Sequence, residues 1–180
     1  MKMLINGEFT DSVSKQTMDI YDPFRGDVID TVPCACAEDI DKALDAAVHA
    51  QKEWAQVPVY RRAEILLRFV ELVKENKQSL AETLCRDNGK PITQALGEIG
   101  NIPIVVPAFC ERAKHFYETV VPAGLEKGQE HTIQYVKREP VGVVCCIIPF
   151  NFPSNLFCQR SCHPCSWATR PWCCRPPGIL

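Results

Sequence analysis

Residues 141–148 (VGVVCCII) constrain the fold more than any other part of this 180-residue chain. They form a continuous apolar run rich in β-branched residues, and the run ends at Pro149-Phe150-Asn151-Phe152-Pro153. A strand without polar alternation belongs in a parallel sheet that is covered on both faces. An exit through a Pro/Asn turn suits the carboxyl edge of a doubly wound α/β sheet, which is where ligands bind in such folds. Residues 132–137 alternate and read as a further, half-exposed strand ahead of it.

The rest of the chain is mostly helical in pattern. It opens with a short strand over residues 3–9 that reaches a turn at Asn6-Gly7. A second turn follows at residues 22–26 (DPFRG) and a strand at 28–32, so the opening predicts a hairpin or meander lying against something larger. Residues 37–55 carry Ile40, Leu44, Ala47, Val48 and Trp54 at helical spacing, with Glu38, Asp39 and Asp41 in the first turn, where the helix dipole favours anions. Pro58 closes that helix. Residues 59–88 predict one longer helix whose stripe is Ile65, Leu66, Phe69, Leu72, Val73, Leu80 and Leu84, with Arg62, Arg68, Lys74 and Lys77 outside it. Asn88-Gly89-Lys90-Pro91 is a strong stop, with glycine at the cap and proline behind it. Residues 92–119 are helical in pattern, and Pro103 and Pro107 are expected to kink or split them.

Composition narrows the function classes. Apolar residues make up 46% and charged residues 23%, with a net charge of −2. This is an ordinary globular balance, and it offers no field that would draw nucleic acid or an anionic membrane. No apolar run approaches the roughly 20 residues that span a bilayer. The N-terminus lacks the apolar stretch of a secretory signal, so a cytoplasmic location is expected.

At residues 139–153 (EPVGVVCCIIPFNFP) the sequence resembles the aldehyde dehydrogenase superfamily, whose hallmark runs E-P-x-G-V-x-x-x-I-x-P-W/F-N-F-P. The INGEF opening, the DPFRG turn, the R-x-x-I-L pattern at residues 62–66 and the DNGKP turn at 87–91 agree with it. The resemblance covers about residues 3–158. It implies the N-terminal part of an α/β fold: helices, the start of a Rossmann-like parallel sheet, and β-strands of the region that bridges subunits into homo-oligomers. It also implies oxidation of a small-molecule aldehyde with NAD or NADP, in which hydride leaves a thiohemiacetal on a cysteine and a glutamate assists thioester hydrolysis. On that match Asn151 donates its side-chain N–H to the substrate oxyanion, and Ile147, Ile148, Pro149 and Phe150 line the nicotinamide cleft. Taken alone, Asn151 reads as readily as a turn residue closing the strand exit. Ile147 to Phe150 are expected to be core in either reading.

The residues that would complete the chemistry are not found. The family nucleophile sits in G-Q-x-C and its base in E-L-G-G, and the cofactor turn is G-S-x-x-x-G; none of these occurs in the chain. The lysine of the family's K-P-S motif is also absent. The chain as given is therefore expected to be the N-terminal portion and not to turn over aldehyde alone. The neighbours of the 141–148 strand mostly lie beyond residue 180, so an exposed strand edge and marginal stability are expected. A different class of function, a non-catalytic interaction module on the same scaffold, also fits this reading.

Residues 159–180 form an aberrant tail with no acidic residue, four prolines and no strand or helix pattern. Of the eleven cysteines, Cys158, Cys162, Cys165, Cys173 and Cys174 crowd into the last 23 residues, whereas the other six read as buried apolar residues of a reduced protein. Three readings stand. Cys158, Cys162, Cys165 and His163 could offer zinc ligands, but they lack a cleanly spaced second pair. A disulfide knot fits poorly with a cytoplasmic body. The third is a shifted reading frame. Codons exist for which the frame that begins at the last base of the Gln159 codon gives, after its first codon, approximately VVPPLLMGNAAVVLPPSG, which restores a helix end, a G-N turn and a strand. Trp167 followed by Ala168 must yield glycine in that frame.

Overall fold

The computed structural model describes residues 1–115, 117–166 and 170–174, the last group for its backbone only. The chain opens with two antiparallel hairpins. In the first, β1 (Met3–Ile5) pairs with β2 (Glu8–Thr10) through Asn6 and Gly7, at φ 52° and 84°. Two consecutive positive φ values make the two-residue turn that matches strand twist, which is why Asn-Gly serves here. In the second, β3 (Thr17–Tyr21) pairs with β4 (Val28–Pro33). Their link is tied by the Asp22 carboxylate, which accepts the N–H of Phe24 (2.8 Å) and Arg25 (3.1 Å). Those two donors hold the Asp22 carboxyl below the usual carboxylate range.

The first helix, α1 (Ala37–Gln56), starts on a fold-back of Asp39, a buried residue whose carboxylate accepts the Ser12 hydroxyl (2.6 Å) and the Cys36 N–H (3.0 Å). The Ser12 hydroxyl, then the Cys36 N–H, hold this carboxyl far below its ordinary value. The hairpins are thereby fastened to the helical body.

The stretch expected as one helix over residues 59–88 is two: α2 (Val59–Glu75) and α3 (Lys77–Asn88). Asn76 leaves helical geometry (φ −105°, ψ 15°), and its side chain donates to the Leu72 carbonyl at 2.8 Å. This is the local competition with the helix ladder that asparagine is prone to. The buried stripe also differs from the expected one. Ala63, Leu66, Val70, Val73, Ala81 and Leu84 are buried, while Ile65, Leu72 and Leu80 are exposed. Arg62, expected on the solvent side, is buried, and its Nε has no hydrogen-bond partner among the described residues.

Both prolines lie inside a single helix, α4 (Ile92–Lys114), so the expected split does not occur. A proline in a helix interior costs about 3 kcal/mol. Here Ala95, Ile99, Ile102, Val106 and Cys110 bury one continuous face against α2, α3 and the later helix α5 (Pro153–Ser166), and that burial holds the helix through both sites.

Beyond α4, β5 (Thr119–Val121) and β6 (Gln134–Val136) form a separate antiparallel pair. Strand β7 (Val143–Ile147) then runs parallel to β8 (Arg170–Cys174), with α5 as the crossover between them. This β-α-β unit with its helical layer makes the fold class α/β.

Two expectations change at β7 and beyond it. β7 is not covered on both faces: Cys146 is buried, with its Sγ donating to the Arg160 carbonyl on α5, while Cys145 and Ile147 on the opposite face are exposed. Within this chain α5 covers one side of the strand only. The lack of regular structure expected over residues 159–180 also fails in part. Residues 159–166 continue α5 and bury Ser161, Cys162 and Ser166, and residues 170–174 form β8. Small side chains at 158, 161, 162 and 166 recur at three- and four-residue spacing, a helical period that the prolines and cysteines obscure. The rest of the tail, including Trp167 and residues 175–180, lies outside the described residues.

Candidate active site

The exit from β7 is a short turn that runs straight into α5. Pro153 opens the helix, a position where its missing N–H costs nothing and its fixed φ is already helical. The turn is gripped from one side by the end of α3, the α3–α4 loop and α4. Asn88 Nδ2 donates to the Phe150 carbonyl at 2.8 Å, and Lys90 Nζ donates to the Asn151 carbonyl at 3.0 Å. Lys90 also pairs with Glu98 and sits 4.6 Å from the centroid of the Phe152 ring, a cation–π arrangement. Glu98 in turn accepts the first free amides of α5 through Oε1, from Ser154 at 2.8 Å and Asn155 at 3.3 Å. Its charge sits at the positive end of that helix, where an anion is favoured. Asn101 Nδ2 donates to Asn155 Oδ1 at 3.1 Å and completes the α4–α5 contact.

Asn151 is exposed, and its side-chain amide has no hydrogen-bond partner among the described residues. The amide N–H is thus free to meet a ligand at the carboxyl edge of β7. Ile147 and Phe150, expected in the core, are 58% and 57% exposed, and Ile148 and Pro149 are half-buried. The correction follows from the one-sided cover of β7 and places an apolar wall beside Asn151. These four residues suit the uncharged ring end of a dinucleotide and supply no charged group for its phosphates.

Sequence reasoning did not assign Asn88, Lys90 or Glu98 to the site. They were visible as the DNGKP stop and as an acidic residue about two helical turns beyond it. Nothing in their spacing indicates that they reach residues some sixty positions later.

The described tail cysteines do not gather into a metal site. Among the described residues no cluster of three His, Cys, Asp or Glu side chains could hold an ion. Cys158 and Cys162 are buried beside Cys110 in the α4–α5 core, and all nine described cysteines are free thiols. A hydrogen bond with Cys158 and then burial push the Cys162 thiol up, and burial does the same to Cys110. Both are held protonated, the opposite of a metal-ligating thiolate. The side chains of Cys173 and Cys174 lie outside the described residues.

The aldehyde dehydrogenase family model matches residues 9–165, nearly the whole chain. The chain belongs to the aldehyde dehydrogenase family. It is 38% identical over 162 residues to aldehyde dehydrogenase family 2 member B4, mitochondrial, of Arabidopsis thaliana, covering 88% of this chain and 29% of that protein. It is 31% identical to the NADP(+) succinate-semialdehyde dehydrogenase of Escherichia coli, covering 88% of this chain and 32% of the relative. The NADP-dependent glyceraldehyde-3-phosphate dehydrogenase of Bacillus halodurans, solved with NADP, superposes over 96% of this chain and 36% of its own, with a TM-score of 0.91 at 26% identity. The chain therefore spans about a third of the length of the relatives it matches. Among the described residues no helix is long and apolar enough to cross a membrane.

Proposed function

We propose that this chain supplies the oxyanion-donor turn and part of the nicotinamide wall for NAD- or NADP-dependent oxidation of a small aldehyde. The observation that carries the reading is Asn151: a side-chain amide without a hydrogen-bond partner among the described residues, exposed at the carboxyl end of β7, on a turn anchored from behind. A fixed amide dipole aimed at a developing oxyanion is worth roughly 3–4 kcal/mol in a water-excluded site. Asn151 would hold the substrate oxygen, and Ile147, Ile148, Pro149 and Phe150 would line the nicotinamide side of the site and exclude water there. The dinucleotide, when bound, accepts the hydride.

The nucleophile and the base of the family are not among these residues, so the isolated chain is expected to be inactive and to act only with the remainder of the family fold, as a homo-oligomer in the cytoplasm. The composition break at residues 159–180 supports a changed reading frame. The gene sequence tests it: a family continuation in another frame is expected, and its absence in every frame contradicts it.

The activity reading is tested by exchange. Residues 1–158 replace the matching segment of the Escherichia coli relative, and NADP+ reduction is followed with that enzyme's own aldehyde. A folded chimera that turns over supports the reading, and a folded but inert one opposes it. Turnover by the isolated 180-residue chain, abolished by thiol alkylation, would contradict the absence of a nucleophile.

A further inference from the structure

An oxyanion donor is useful only when its amide is held to within about 0.5 Å of the productive position. The Asn151 side-chain amide has no hydrogen-bond partner among the described residues, so its aim depends on the backbone that carries it. That backbone is fixed at four points: the carbonyls of Phe150 and Asn151 and the amides of Ser154 and Asn155. Three of the four bonds are made by one ion pair. Lys90 takes the Asn151 carbonyl, Glu98 takes both amides, and the two side chains bond each other. Their side chains are 8% and 1% exposed.

A buried ion pair is a poor way to gain stability, because desolvation offsets most of its attraction and apolar residues of similar volume often do as well. What it does provide is direction, through charge-assisted bonds of fixed length. This pair spends those bonds on the turn: one carboxylate oxygen faces the α5 amides, and the other faces the ammonium that holds the Asn151 carbonyl. The Phe152 ring below Lys90 limits its movement further.

We propose that Lys90 and Glu98 are positioning residues for Asn151, a buried strut from α4 that sets the height and tilt of the donor turn. The proposal rests on the assignment of Asn151 as oxyanion donor, but it makes its own structural claim and can be tested on the whole chain.

The test is amide exchange and side-chain NMR on the isotopically labelled 180-residue protein. The double variant Lys90→Met/Glu98→Leu removes both charges together and leaves none buried alone. Exchange at core amides such as Val70 and Ile102 is expected to change little, while Ser154 and Asn155 exchange faster by about tenfold or more and the Asn151 side-chain amide loses its order. Lys90→Arg, which keeps a cation in reach, restores the turn. An unchanged turn in the double variant, or a turn as disordered in Lys90→Arg as in Lys90→Met, overturns the proposal. Should the double variant unfold, Glu98→Gln gives the same comparison, because it keeps volume and an acceptor oxygen: faster exchange at the turn over an intact core is expected, and an unchanged turn is the refutation. Loss of turn order is separable from the Asn151 assignment, since Asn151→Ala in the chimera tests that assignment directly.

Discussion

Replacing Lys90 with methionine strips the counter-charge from Glu98 while keeping a side chain of similar length. Removing one member of a buried pair costs about 3–5 kcal/mol, because the remaining charge is left in a low-dielectric site. Glu98 still accepts two backbone N–H groups at 2.8 and 3.3 Å, so the lower end, about 3 kcal/mol, is the better figure here. For a chain of this size each kcal/mol moves the melting temperature by about 2–4 °C, which gives a drop of about 6–12 °C. The assay is thermal unfolding followed by far-ultraviolet circular dichroism at fixed pH and salt. The fold contains its own control. Arg61 and Glu64 pair at 2.6 Å with side chains 62% and 53% exposed, so Arg61→Met should move the melting temperature by less than about 2 °C. The reasoning is refuted if Lys90→Met falls within the control's range, since burial is then not what gives the pair its weight.

Three further outcomes follow from the same geometry. Asp39 is held ionised by Ser12 and Cys36, so its contribution is full above the ordinary carboxylate value near about 3.9 and is lost as pH falls below it. Asp39→Asn should therefore lower the urea midpoint at pH 7, with the difference shrinking in acid; a pH-independent difference contradicts the assignment. Gly89 has φ +72°, and an added Cβ would lie 2.8 Å from Pro23 Cγ, so Gly89→Ala should cost more than about 1 kcal/mol in urea unfolding, and a smaller loss contradicts the close approach. Thiol labelling mapped by mass spectrometry should reach exposed Cys145 first and leave Cys110, Cys158 and Cys162 untouched until the chain unfolds; early labelling at any of these three contradicts the α4–α5 packing.

Local grammar was legible where one residue settles the backbone. Asn6-Gly7, the Asp22–Gly26 turn and the Gly89 stop all form as their residue types require. The β7 strand and its exit were legible as well, from apolar continuity and the prolines. Features decided by tertiary burial were not. α4 runs through Pro103 and Pro107 because one buried face holds it, and α5 runs through Cys158 and Cys162 because small side chains pack on α4. Arg62 was placed on the wrong face because the buried stripe of α2 runs through Ala63, Leu66, Val70 and Val73, beside Arg62, instead of through Ile65 and Leu72. The site shows the same division. Asn151 could be picked from its motif, but the Lys90–Glu98 grip joins positions separated by some sixty residues, and no sequence period connects them.

The central claim is that the Asn151 amide serves the oxyanion in an aldehyde-oxidising site. It is tested most directly by Asn151→Ala in the chimera, with kcat and KM measured for aldehyde and NADP+. The loss of one oxyanion donor predicts a fall in kcat of about 10²–10³-fold, with both KM values nearly unchanged. A variant that keeps its kcat, or that loses activity through KM alone, contradicts the account.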